Sequence, residues 1–298
     1  MNLLKQVSEE NYHTYKASMI RLKAKHKNIF SSLCLFIAVC VSSTVSAFET
    51  KIVGGIKAAA NKYPFMVSVE KQVDNTQFCG ASLITEKKIL TAAHCITDNN
   101  GRIIKDKIQV RLGTNVLNDG SGTVLNVKTI SRHPLYNPYT LDYDVAILTL
   151  KTPVKLDDNI NVINLPKACQ SIHCLTGLVT PGTSVRAIGW GVTSVNGEGS
   201  DVLLQVDMPL ISNIDCQTTN TNEITDSMIC ADGTHQNPVG DTCQGDSGGP
   251  LFAYIEAARA GLQTGIVSFG EDCATHPGVY TRISDPSIRA FIVKHAGI

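Results

Sequence analysis

From residue 52 onward the apolar positions come in short runs and alternations of four to six residues, not at the spacing of long amphipathic helices. Lys88–Thr91, Ile108–Leu112, Val145–Leu150, Val185–Ile188, Gly265–Phe269 and Val279–Ile283 read as strands, with Gly, Asn, Asp and Pro between them. Strands do not alternate with helices, so a parallel sheet is not expected. Repeated short strands over about 250 residues predict an all-β protein of sandwich or barrel type. One helix is expected at the end. Asp285 can cap it, Pro286 suits its first position, and Ile288, Phe291 and Ile292 share a face. Leu165–Thr183, with prolines, glycines and two cysteines, looks like a connection between two halves.

The first fifty residues follow another pattern. Arg21, Lys23, Lys25 and Lys27 precede an apolar stretch, Ile29–Val41, and then Val45-Ser46-Ala47. A charged start, an apolar middle and small residues make a secretory signal, cut after Ala47. The alternative is a membrane anchor, but roughly 13 residues fall short of the ~20 needed to span. The basic region is long for a signal, and a start at Met19 would give a more ordinary one.

The whole chain of 298 residues has no net charge, which gives no reason to expect a nucleic-acid partner. Residues 1–51 hold seven of the 26 Lys/Arg and three of the 26 Asp/Glu, so the remainder carries about −4. Cys34 and Cys40 leave with the signal. Cys79, Cys95, Cys169, Cys174, Cys216, Cys230, Cys243 and Cys273 remain, an even count that favours disulfides in an exported chain. A zinc knuckle at Cys169–Cys174 is the competing reading, but no second ligand pair lies near it. No Asn-x-Ser/Thr sequon occurs.

The candidate chemistry sits in Gly240-Asp-Thr-Cys-Gln-Gly-Asp-Ser-Gly-Gly-Pro250. Its Gly245-x-Ser247-x-Gly249 satisfies the nucleophile elbow of α/β-hydrolases. In that fold the acid and the histidine follow the serine. Here only His276 and His295 do, and the strand–helix context is missing. The other order has histidine first: Thr91-Ala-Ala-His94-Cys95 follows one apolar strand, and Asp142-Tyr-Asp144-Val-Ala-Ile-Leu opens another. On spacing alone Asp142 and Asp144 both remain candidate acids, since in a strand they would point the same way.

These stretches, in this order and together with Ile52-Val53-Gly54-Gly55, resemble the trypsin-like serine proteases from Ile52 to the C-terminus. The resemblance implies two antiparallel six-stranded β-barrels with the active site between them. The expected domain is 52–298: one barrel over about 52–165, a second over about 166–285, and a helix over about 286–296. It follows a signal (1–47) and a short propeptide (48–51). The family pattern, an acid before four apolar residues, selects Asp144. Ser247 is then the nucleophile, His94 its base and Asp144 the group that holds the imidazole. The resemblance implies that the backbone N–H groups of Gly245 and Ser247 form the oxyanion hole. The resemblance also implies that cleavage after Lys51 frees the Ile52 ammonium to pair with Asp246. Asp241, Ser268, Gly270 and Gly278 are the implied substrate-binding set: Asp241 at the base of a pocket for Arg or Lys, the glycines as its walls, and Ser268 also bonded to the triad aspartate.

Implied disulfides are Cys79–Cys95, Cys216–Cys230 and Cys243–Cys273. Three further family bridges are missing, with Ala58, Val185, Ala253 and Ser284 at cysteine positions, so Cys169 is expected to pair with Cys174. Phe269 replaces a usual tryptophan. Thr114 stands where a calcium-binding glutamate is expected and Pro277 where sodium-binding relatives carry tyrosine, so no metal and no cofactor is expected.

The implied function is a secreted serine endopeptidase made as a zymogen and cleaving after Arg or Lys. The other readings are a non-catalytic homologue that kept the fold, which the complete triad disfavours, and an esterase. Expected partners are peptide or protein substrates and protein inhibitors. A monomer is expected, with no membrane contact after signal removal, reaching the exterior by way of the periplasm if the source is bacterial.

Overall fold

The computed structural model describes residues 54–98, 100–166, 180–192, 194, 197–237, 239–255 and 260–298. The signal, Lys51, Ile52, Cys169 and Cys174 lie outside them. Strand β1 (Ile56–Lys57) is followed by β2 (Met66–Lys71), β3 (Gln77–Thr85), β4 (Lys88–Thr91), β5 (Ile108–Leu112), β6 (Thr123–Arg132) and β7 (Ala146–Leu150). Strands β2 to β7 close an antiparallel barrel in the order β2-β3-β4-β7-β6-β5.

The second half holds β8 (Ser184–Gly189), β9 (Leu204–Ile211), β10 (Met228–Ala231), β11 (Pro250–Ile255), β12 (Ala260–Phe269) and β13 (Gly278–Arg282). These run β9-β10-β13-β12-β11-β8, and pairing of β8 with β9 closes a second six-stranded barrel. The expected two-barrel architecture is what forms. Closure removes the open sheet edges that short strands would otherwise expose.

The barrels are sewn together. β1 pairs with β9 of the second barrel, Ile56 opposite Gln205. The buried Ser82 hydroxyl on β3 donates to Oε1 of Gln263 on β12 at 2.7 Å. At the C-terminus helix α2 (Pro286–Ala296) begins as expected, with the Asp285 carboxylate accepting from the N–H groups of Ser287 and Ile288. Its face of Ile288, Phe291 and Ile292 joins the core of the first barrel.

One element departs from expectation. A helix, α1 (Asn213–Thr219), precedes β10. With seven residues, including Ile214 and two threonines, it shows no helical periodicity. Its signal is the cap: the Ser212 hydroxyl accepts from Asp215 N–H at 3.0 Å and donates to the Asp215 carboxylate at 2.6 Å.

Candidate active site

The seam between the barrels gathers the residues of interest. β4 ends at Thr91, and the fully buried Ala92 and Ala93 let the chain turn tightly into a single 3-10 turn, His94–Ile96. This presents His94 with its side chain about a quarter exposed. Nδ1 of His94 lies 2.7 Å from Oδ2 of Asp144, and its backbone N–H donates to Oδ1 at 2.9 Å. The Ser268 hydroxyl donates to Oδ2 at 2.6 Å, and Thr281 Oγ1 donates to the Asp144 carbonyl at 2.7 Å. Asp144 is fully buried, yet both carboxylate oxygens and its carbonyl oxygen each receive a donor. Burial would raise its pKa, but the His94 imidazole and these bonds hold it below the usual carboxylate range. Burial likewise opposes the charged form of His94, and the Asp144 charge outweighs it, raising the imidazole above its ordinary 6.5.

Asp142 is not part of this group. The expectation that it points with Asp144 fails because the segment is not extended: Leu141 and Tyr143 have φ of 56° and 51°, and β7 starts only at Ala146. Its carboxylate instead accepts from the hydroxyls of Thr225 and Ser227.

Ser247 lies in the turn before β11. Gly245 and Gly248 around it have φ of +96° and +80°. A side chain at Gly248 would strike Thr91 Oγ1 at 2.3 Å and the Gly80 carbonyl at 2.5 Å. The Ser247 carbonyl accepts from Gly80 N–H at 2.7 Å. It also touches Cys95 Sγ at 3.5 Å, and that sulfur is 3.7 Å from Nε2 of His94, so serine and imidazole share a neighbour. Cys79, His94 and Cys95 cluster like metal ligands. Both sulfurs, however, are joined in the Cys79–Cys95 disulfide, which leaves no thiolate.

The two aspartates before the serine have separate surroundings. Asp246 is fully buried, accepting from Gly191 N–H at 2.8 Å and Cys243 N–H at 3.0 Å. Its carboxylate fills the space where Gly189 and Gly191 lack side chains, and burial pushes its pKa up to about 6. Asp241 lines a cavity of about 160 Å³ that Ser247, Ser268, Phe269, Gly270 and Gly278 also border. It accepts from Thr242 N–H at 2.7 Å and Ala274 N–H at 2.8 Å. Burial, against these bonds, pushes its pKa up to about 7. A side chain at Gly278 would come within 3.2 Å of the Asp241 carboxylate, so glycine keeps the cavity open. The Cys243–Cys273 disulfide braces one wall, and Cys216–Cys230 ties α1 to β10; both match expectation.

Several contributors had no signal in their local sequence. Gln77 donates to the Gly245 carbonyl, Gly191 and Cys243 supply N–H groups to Asp246, and Ala274 supplies one to Asp241. All act across the fold, mostly through backbone atoms that carry no residue-type signature.

Two antiparallel barrels meeting at an aspartate–histidine pair beside a glycine-bracketed serine are the architecture of the chymotrypsin-fold serine proteases. Comparison with known proteins narrows this further. The Trypsin family model matches residues 52–292. The chain is 38% identical to Serine protease 1 of Rattus norvegicus over 240 residues, 79% of this chain and 86% of that protein. It is 35% identical to a Trypsin of Xenopus laevis over 254 residues (84% and 93%) and 34% identical to Trypsin 5G1 of Aedes aegypti over 252 residues (83% and 86%). The chain belongs to the trypsin family and is a trypsin-like serine protease.

Proposed function

We propose that the protein is a secreted endopeptidase that hydrolyses peptide bonds after Arg or Lys and is made as an inactive precursor cut after Lys51. The observation that carries the specificity is the buried Asp241 carboxylate lining the same cavity that Ser247 borders. A long cationic side chain entering there supplies the charge that Asp241 lacks, whereas an apolar one leaves it unpaired.

In the proposed chemistry, His94 Nε2 takes the Ser247 hydroxyl proton as Oγ attacks the substrate carbonyl carbon. The N–H groups of Gly245 and Ser247 stabilise the resulting oxyanion. The C–N bond then breaks, and His94 passes its proton to the leaving amine. Water repeats the sequence on the acyl-enzyme, giving the acid and free Ser247. Asp144 fixes the imidazole tautomer and favours its charged form throughout, and the raised His94 pKa supports that role.

The proposed switch pairs the new Ile52 ammonium with Asp246. Two observations support it. Asp246 is a buried carboxylate with N–H partners, and no ion pair to it occurs among the described residues. Gly54, two residues past Ile52, packs on Val239 and Gly240, close in sequence to Asp246. Export is supported by the pattern over residues 21–47, and among the described residues no helix is long and apolar enough to cross a membrane. Peptide and protein substrates, protein inhibitors and a monomeric state belong to the same proposal.

A serine-directed fluorophosphonate tests the chemistry. The chain cut after Lys51 should gain one adduct, mapped by mass to Ser247, and His94→Ala should label far more slowly. Labelling elsewhere, or equal labelling without His94, would contradict the assignment.

A further inference from the structure

Strand β3 of the first barrel touches the serine loop of the second at two points. Gly80 N–H donates to the Ser247 carbonyl at 2.7 Å, and the Gln77 side-chain amide donates to the Gly245 carbonyl at 2.7 Å. These carbonyls belong to the two residues whose N–H groups form the proposed oxyanion hole. One strand therefore holds both residues from their acceptor side.

The aim of Gln77 is built into the sheet. Opposite β2, Val69 pairs with Cys79 but the next residue, Glu70, pairs with Gln77. Phe78 is thus an extra residue in β3, a bulge of the kind that re-aims a neighbouring side chain. Gly245 itself offers little resistance to displacement. Its φ of +96° lies where glycine is free to turn, and a side chain there would meet only the Gly191 backbone, from 3.0 Å, and Gln77 Oε1 at 3.7 Å.

We propose that Gln77 is a positioning residue for catalysis, holding the Gly245 peptide so that the oxyanion donors stay aimed when charge develops. The proposal rests on the reading of Gly245 and Ser247 as those donors. Gln77 has no reach to the Asp241 cavity, whose lining does not include it. Its loss should therefore weaken transition-state binding and spare ground-state binding of a cation.

The test uses the enzyme cut after Lys51. In Gln77→Ala, kcat should fall roughly fivefold, the scale of one neutral hydrogen bond, with KM little changed. Affinity for a peptide boronate, which mimics the tetrahedral state, should fall by the same factor. Inhibition by a small amidine, which needs only the Asp241 cavity, should not change. Gln77→Glu adds a signature that mere packing would lack. A protonated carboxyl can donate to the Gly245 carbonyl and a carboxylate repels it, so the ratio of variant to wild-type kcat should fall as pH rises. Asp74, Arg111 and Asp201 share the neighbouring cavity with Gln77 and set where that transition falls. His94 titrates in both enzymes and cancels in the ratio. Wild-type kinetics in Gln77→Ala, equal weakening of boronate and amidine, or a pH-independent Gln77→Glu ratio would each overturn the proposal. A processed wild type that hydrolyses no peptide would instead sink the reading beneath it, and the proposal with it.

Discussion

Asp142 and Asp144 stand two residues apart but serve different partners: Asp142 accepts from Thr225 Oγ1 at 2.8 Å, Asp144 from Ser268 Oγ at 2.6 Å and His94 Nδ1 at 2.7 Å. The positive φ of Tyr143 between them makes this possible, because in a regular strand the two would share a face. Asp142 fastens the end of the first barrel to the second, and Asp144 orients the imidazole.

Substitution should separate those roles. Asp144→Asn should lower kcat by about 10⁴ at neutral pH through the wrong imidazole tautomer. Asp142→Asn should keep activity within a few-fold and cost about 1–2 kcal/mol of stability through its weakened hydroxyl contacts. Steady-state kinetics and urea unfolding read the two effects.

The pH profile follows from His94. Burial lowers its pKa, but Asp144 raises it more, so the net direction is up from 6.5. In the proposed mechanism the neutral imidazole is the working base, so activity should be lost as pH falls through a value above 6.5. In Asp144→Asn that limb should move below the wild-type one, which kcat/KM profiles of both proteins will show.

A second titration belongs to Asp241, which burial pushes up to about 7. Below that pH the empty cavity holds a neutral carboxyl, and a bound cation must displace its proton. Amidine affinity should therefore rise with pH up to about 7 and then level. Asp241→Asn should bind weakly and without that dependence. Inhibition constants from pH 5 to 9 check this.

Much of this was legible in the sequence, and the reasons are local. β4 and β5 could be read because runs such as Ile108-Gln-Val-Arg-Leu112 alternate cleanly, and α2 because Asp285-Pro286 announces its start. His94, Asp144 and Ser247 were legible through distinctive neighbours. β6 was not, because Thr123–Arg132 is largely exposed and mixes polar with apolar residues on both faces. The direction of Asp142 was hidden in a backbone turn, and Gln77 gained its meaning only from a bulge and a loop 168 residues away.

Asp246 gives a stability test. Burial raises its folded pKa to about 6 from 3.8. Its contribution is therefore full below the unfolded value and lost as pH rises through the folded one. A Lys51→Gln precursor should lose about 1–3 kcal/mol between pH 4 and 8 from this group. Adding Asp246→Asn should flatten that loss, while in processed enzyme the same change should abolish most activity. Melting curves of the paired precursors at both pH values isolate the difference.

Cys169 and Cys174 lie outside the described residues. The six cysteines among the described residues are paired with one another. Non-reducing peptide mass mapping should find Cys169 linked to Cys174. A link from either to another cysteine would refute the scheme.

The most direct test of the central claim is hydrolysis of a peptide panel differing only at the residue before the scissile bond, using the chain cut after Lys51. The expected result is kcat/KM at least about 10³-fold higher for Arg and Lys than for Leu, Phe or Ala, the several kcal/mol that a buried, hydrogen-bonded ion pair with Asp241 is worth to a basic side chain. Turnover should vanish in Ser247→Ala and the preference should vanish in Asp241→Ser. Comparable rates on apolar and basic peptides, or hydrolysis that survives Ser247→Ala, would contradict it.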